Sequence, residues 1–174
     1  MGKVNQDIGI STEQAAAIAG VSPGAIRHWV RAGLVEPSRY EGGVGNHARY
    51  NLRDATALRA IADLRRGGVS MPNVRSVQRI LRDAGEGDYD SCRLAAVDRG
   101  ARSVDVVLVK GDRERDALAL SLLENPGQAL ITELALDAIE KMTKRGFAEA
   151  VANPPAKRGR RPTAKTSARL RRSG

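Results

Sequence analysis

Between Ala19 and Pro23 the chain stops one helix and starts another. Gly20 suits the left-handed conformation of a helix end, and Ser22–Pro23 gives an N-cap followed by a residue whose missing N–H costs nothing in the first turn. Upstream, Ser11 with Gln14 three residues later has the form of a capping box. It opens a helix through Ala19 whose apolar members are Ala15, Ala16, Ile18 and Ala19. The second helix is expected to run to about Ala32, with Gly33 as its stop. Two short capped helices on a tight glycine turn predict a helix-turn-helix.

The second helix divides cleanly when its residues are placed at about 100° intervals. Gly24, Arg27, His28 and Arg31 share one stripe; Ala25, Ile26, Trp29 and Val30 lie opposite. Aromatic residues are only 3% of the chain, so the core must come mostly from Ala, Leu, Ile and Val, and the single tryptophan is expected to plug it. Arg27, His28 and Arg31 then face outward together, with Gly24 allowing close approach. Such a face suits the major groove of DNA, where arginine can bond guanine O6 and N7.

Residues 34–50 predict a β-hairpin or wing: Leu34 to Arg39 extended, GGVGN at 42–46 as its tip, and His47 to Tyr50 returning. Asn51, with Asp54 at the third position, caps a third helix with Leu52, Ala55, Leu58, Ile61, Ala62 and Leu64 as its buried stripe, stopped by Gly67–Gly68. Ser70 is expected to cap a fourth, carrying Val74, Val77, Ile80 and Leu81. GEGD at 85–88 ends this unit. Beyond it, residues 91–99 read as a short helix, SVDVVLVK at 103–110 as a buried strand, residues 112–124 as a helix, and residues 128–150 as a longer amphipathic helix with Leu130, Ile131, Leu134, Ala135, Ala138, Ile139 and Met142 on one side.

Charge follows the same division. Residues 1–80 carry 11 Lys or Arg against 6 Asp or Glu, residues 81–150 carry 10 against 14, and residues 151–174 carry 8 against none, for a net +9. Two basic segments flank an acidic middle, and nucleic acid is the commonest partner for such ends. The tail has almost no apolar content and is expected to be disordered. It resembles the Arg-Gly-Arg-Pro core of an AT-hook, interrupted here as Arg158-Gly159-Arg160-Arg161-Pro162, so unspecific phosphate binding is the expectation.

Other chemistries find little footing. The single cysteine, Cys92, excludes an intrachain disulfide, and His28, His47 and Cys92 lack metal-ligand spacing. No catalytic grouping and no phosphate-cradling loop stands out, so no enzyme, metal or cofactor is expected. No apolar run reaches the ~18 residues of a membrane span, and no signal-peptide pattern opens the chain; a reducing cytoplasm fits best.

The run ISTEQAAAIAGVSPGAIRHWVRAGLVEP, followed by GNHARYNLRDATALRAIADLRRGGVSMPNVRSV, resembles the DNA-binding domain of the MerR family of bacterial transcription regulators, over about residues 9–82. The alanine-rich first helix, the GVSP turn, the Ile–Arg–aromatic segment, the G-L-V-x-P exit, Arg49–Tyr50 before a helix with Asp54, and the L-R-x-G-V-S step carry the likeness. It implies that Arg27 contacts phosphate, that Arg49 and Tyr50 hold the DNA backbone from the wing, and that Thr12 sits where helix N-terminal amides meet phosphate. The family usually has two tyrosines after the arginine; here His28 and Trp29 stand in those places. The family's long coiled-coil helix has no counterpart soon after Leu81.

The expected chain is therefore mainly α with a small β component. It has a winged helix-turn-helix at 9–84, a small α/β or helical assembly or partner-binding unit at 88–150, and a disordered basic tail at 151–174. The expected function is a sequence-specific transcriptional regulator of MerR type in the bacterial cytoplasm and nucleoid, acting through Thr12, Gly24, Arg27, His28, Arg31, Arg39, Arg49 and Tyr50. Its expected partners are double-stranded DNA, a second copy paired through the lone strand 103–110 (the competing account pairs 103–110 with residues near 91–99 in a monomeric unit), and RNA polymerase or another protein through the middle region. The alternatives are an architectural or excisionase-like DNA-bending protein using the same domain, and an adaptor whose helix-turn-helix no longer binds DNA.

Overall fold

A computed structural model describes residues 8–41, 47–85, 89, 91–100, 103–125 and 127–154. The chain is mostly helical with two small antiparallel sheets. Helices α1 (Thr12–Ala19) and α2 (Pro23–Arg31) begin as their caps dictate. Ser11 and Gln14 form the reciprocal capping box, Ser22 accepts from Ala25 N, and Gly20 closes α1 at φ 67°. Strands β1 (Arg39–Glu41) and β2 (His47–Arg49) pair antiparallel, with Arg39 opposite Arg49. The GGVGN tip expected between them lies outside the described residues.

Helix α3 (Leu52–Arg66) starts at a second capping box, Asn51 with Asp54. It is buried on nearly every side, from Asp54 through Leu64, and not along one stripe as its sequence suggests. Ala57 and Ala60 are small enough to let neighbours close on the face the stripe left out, and a helix enclosed all round is the centre of a core. The fourth helix begins later than Ser70. A turn and a 3-10 segment, Asn73–Ser76, lead into α4 (Val77–Asp83), whose cap residue Ser76 makes no side-chain bond.

The second half departs further from its sequence reading. Residues 91–99 are not a helix: β3 (Cys92–Gly100) is the central strand of a sheet ordered β4-β3-β5. Leu94, Ala95, Ala96 and Val97 are all buried, so enclosure on both faces overrides the weak strand preference of alanine. Strand β4 (Ser103–Lys110) lies along β3 as an edge strand, with Ala95 opposite Val107 and Ala96 opposite Val106, so it has a strand partner within the chain. The inference of a second copy from a lone strand therefore falls. Helix α5 (Gly111–Glu124) follows.

The long helix expected at 128–150 is in fact strand β5 (Ala129–Ala135) and then helix α6 (Leu136–Ala152). Along β5 the register shifts, Ala96 facing Thr132 and Val97 facing Leu130, so Ile131 is the extra residue of a bulge. The helix phase starts at Leu136, and the core-facing residues are Leu136, Ile139, Thr143 and Phe147; Ala138 and Met142 are exposed.

One apolar cluster runs through both halves, from Ile10, Ile26 and Trp29 through Leu58 and Ile61 to Leu94, Ala96, Leu136 and Phe147. The two close approaches that join them need small residues. A Cβ on Gly67 would stand 3.0 Å from Thr132 of β5, and one on Gly146 of α6 would stand 3.1 Å from Ile18 of α1. Among the described residues, no helix is long and apolar enough to cross a membrane.

Candidate nucleic-acid interface

Helix α2 sorts its residues as the helical wheel requires. Ile26 and Trp29 are buried, at 0% and 6% exposure, while Gly24, Arg27, His28 and Arg31 are exposed. Trp29 is thus a plug, and its burial fixes the rotation that turns the three basic side chains outward together. A Cβ on Gly24 would meet only Ser22 Oγ, at 3.7 Å, so this end of the helix is open to close approach.

Three of the expected contact residues are held by carboxylates. Arg27 Nη2 donates to Glu13 Oε1 at 2.8 Å, joining α2 to the first turn of α1. Glu41 receives Arg49 at 2.7 Å and Arg39 at 3.3 Å. The hydrogen bond from Arg49 holds the Glu41 carboxyl below the usual range. These pairs are solvent-accessible, so each contributes little to stability. They orient the guanidinium groups and leave them available to exchange a carboxylate for a phosphate. Arg31 Nε donates to the Arg27 carbonyl at 3.3 Å, and among the described residues the His28 side chain is exposed with no partner of its own.

Thr12, Arg49 and Tyr50 converge because Ile10 and Tyr50 exchange backbone hydrogen bonds of 2.9 and 3.0 Å, bringing the entry to α1 against the end of β2. Gly9 permits this: a Cβ there would lie 2.8 Å from that of Arg49. Tyr50 differs from its expected role. It is only 1% exposed, and burial pushes its hydroxyl up, against a hydrogen bond with the Thr12 side chain that lowers it. It supports Thr12 from beneath.

Two buried polar residues outside the expected set shape this face. Gln78 bonds both backbone groups of Glu36, accepting from N and donating to O at 2.9 Å each. Asp54 accepts from Ser38 N at 2.9 Å, from the Ser38 hydroxyl, and from Asn51 N at 3.1 Å. Burial raises its carboxyl above the ordinary range, against those hydrogen bonds. Together they pin the extended segment that carries α2 into β1. Asp54 was legible only as a capping residue, and Gln78 left no signal, because its partners are main-chain atoms 42 residues away.

Beside this segment a cleft of about 310 Å³ is lined by Val30, Tyr40, Arg75, Gln78, Arg79 and Arg82, among others. Arg75, Arg79 and Arg82 are exposed, at a spacing of four and three along RSVQRILR that would have disclosed a basic row. Elsewhere the basic charge is spent on structure. Arg66 Nη2 bonds the carbonyls of Ala19 and Gly20, and Arg59 bonds that of Ile18, capping the end of α1. Among the described residues no group of three His, Cys, Asp or Glu could hold a metal ion.

Two capped helices at a glycine turn, a basic face opposite a buried tryptophan and an adjoining antiparallel strand pair make a helix-turn-helix unit with a face shaped to meet nucleic acid. Residues 10–80 match the family model described as MerR HTH family regulatory protein. The N-terminal unit is thus similar to MerR-type helix-turn-helix regulatory proteins; the match spans less than half of the chain. No curated protein matches the sequence.

Proposed function

We propose that the protein is a sequence-specific transcriptional regulator of MerR type. The observation that carries this is the outward face of α2, on which Arg27, His28 and Arg31 stand together because Ile26 and Trp29 are buried behind them. Arg31 and His28 read base edges from the major groove. Arg27, Arg39 and Arg49 take phosphates, exchanging Glu13 and Glu41 for the DNA backbone, with β1 and β2 as the wing. Thr12 presents the N-terminal amides of α1 to a phosphate, steadied by Tyr50. The basic tail adds affinity for any duplex. Two copies on a palindromic site meet through the α5 side, where Leu120, Leu123, Leu130 and Ile131 remain exposed.

Selection of bound sites from random duplexes, followed by footprinting, tests this. The expected result is one enriched motif under a compact footprint. Absence of any enrichment would overturn the reading and favour the adaptor. The architectural alternative gains support from one finding, since β4 pairs within the chain and no longer asks for a second copy. A footprint that lengthens steadily with protein concentration would select it.

A further inference from the structure

The exposed arginines of the N-terminal unit differ in what they hold. Arg27, Arg39 and Arg49 pair with carboxylates. Arg75 and Arg79 have no hydrogen bond or ion pair among the described residues, and Arg82 reaches only Glu36, at 4.0 Å. These three form one wall of the cleft, and Val30, Leu34 and Tyr40 contribute an apolar wall beside them. The cleft is set apart from the face proposed for DNA. Side chains alternate along a strand, so Tyr40 points to the opposite side of the wing from Arg39 and Glu41. Along α2 the cleft takes the end at Val30 and Gly33, whereas Gly24 lies at the other.

A matching surface lies on α5. At ~100° per residue, Asp112, Asp116, Leu120 and Leu123 fall within about 80° of one another. Leu118 and Leu122, which rest on the sheet, are on the other side. All four residues of this stripe are exposed, and neither aspartate has a hydrogen bond or ion pair among the described residues. Asp112 and Asp116 are four residues apart, as are Arg75 and Arg79.

The fold places both surfaces beside one free edge. Strand β4 is at the border of its sheet. Its inner side, through Val104, Val106 and Leu108, joins the core on which α4 and the 3-10 segment before it pack. Its outer side, through Val107 and Val109, carries α5. The arginine row and the acidic stripe therefore flank the same edge from opposite faces of the sheet. A two-fold axis running along that edge turns the faces over and brings α5 of each copy towards the cleft of the other. Such a contact is isologous and closes at two copies.

We propose that the cleft receives α5 of a second copy, with Asp112 and Asp116 against Arg75 and Arg79, and Leu120 and Leu123 against the apolar wall. The inference rests on the pairing of copies through the α5 side given above, and it names the surface that α5 meets. The other polyanion that an arginine row could hold is the duplex backbone.

Charge reversal separates these occupants. Arg75→Glu with Arg79→Glu removes no bond among the described residues, so the melting temperature should hold. In sedimentation without DNA the dimer Kd should rise about tenfold or more. Asp112→Arg with Asp116→Arg should weaken association similarly, and combining both pairs in one chain should restore most of it. Carboxylates favour the first turns of a helix, so the aspartate variant alone could lose α5. Recovery in the combined chain, which carries the same two substitutions, excludes that cause. No recovery, or a wild type that stays monomeric up to about 100 µM, would overturn the proposal. Unchanged association in the arginine variant, with a salt dependence of duplex binding flattened by roughly 0.9 per lost contact, would overturn it too and assign the row to phosphates. Association is measured without DNA, so failure to select any duplex would overturn the regulator reading and leave this contact standing.

Discussion

Helices α5 and α6 are of similar length and follow strands of the same sheet, yet they have opposite fates. Helix α6 buries Leu136, Ile139, Thr143 and Phe147 against α1 and α3. Helix α5 has no buried residue; Leu118 and Leu122 rest on the outer face of the sheet near Ala95, Val97 and Val109, and Leu120 and Leu123 point away at 56% and 81% exposure. The sheet explains the asymmetry. One face, through Leu94, Ala96, Val106 and Leu134, completes the core beneath α3, whereas the other is covered only along its β4 side. A helix on the inner side becomes part of the N-terminal unit's core, and a helix on the outer side is left exposed.

The largest effect should come from emptying the inner side. Phe147→Ala should cost about 3–5 kcal/mol and Leu136→Ala about 2–5 kcal/mol of unfolding free energy, because neither site can collapse around the cavity. Leu123→Ala should stay within about 0.5 kcal/mol. Urea midpoints of the three variants check this. A Leu123→Ala loss as large as that of Phe147→Ala would break the comparison.

A step smaller is the contact between α6 and α1. Gly146→Val places branched carbons where a Cβ already meets Ile18 at 3.1 Å, and overpacking of that kind costs about 1–3 kcal/mol. The same variant should weaken DNA binding beyond its loss of stability, since it shifts the bond from Gln14, in the first turn of α1, to the Ala150 carbonyl of α6. Binding measured at temperatures where the variant is fully folded separates the two effects.

The inner side also holds the titratable group that gives stability a pH dependence. Burial raises Asp54, so the folded state binds its proton more tightly than the unfolded chain. That contribution is fully present below the ordinary carboxylate value of about 4 and is lost as pH rises through the folded value. Asp54→Asn keeps an acceptor for Ser38 and Asn51 and removes the charge. Its stability should therefore decline less than that of the wild type as pH rises from about 4. Equal slopes in urea titrations would remove Asp54 as the source.

How much was legible in the sequence follows the same line. In the first 66 residues local chemistry decides: the capping boxes at Ser11 and Asn51, Pro23 after Ser22 and the wheel of α2 all hold in the structure. At 128–150 the bulge at Ile131 breaks the two-residue alternation of β5. Leu130, Ile131, Leu134 and Ala135 then fall at spacings of three and four, which continue into α6 and imitate one helix. At 92–100 two consecutive alanines carry no strand signal of their own, and only the neighbours on both sides make them a strand. Of the interface, Arg27 and Arg31 on α2 were legible from periodicity, whereas the row of Arg75, Arg79 and Arg82 went unread. The pinning by Gln78 and Asp54 was not legible, because it runs to backbone atoms distant in sequence.

The smallest effect on stability, and the sharpest on assembly, should come from the outer side. Full burial of a leucine is worth roughly 1.5–3 kcal/mol, and Leu120 and Leu123 gain little of that within one chain, being 56% and 81% exposed. Leu130 and Ile131, on the far strand of the same sheet, are also exposed, at 45% and 38%. If two copies join there on a palindromic site, these four positions supply apolar surface for the contact. Leu120→Ser with Leu123→Ser should then leave the melting temperature nearly unchanged and the affinity for a single half-site intact, while weakening binding to the full palindrome. Wild-type sedimentation as a monomer on a full palindrome, with one copy per duplex at saturation, would show that α5 is surface for something other than a second copy. The contrast with α6 would remain, because the burial that distinguishes the two helices is set within one chain.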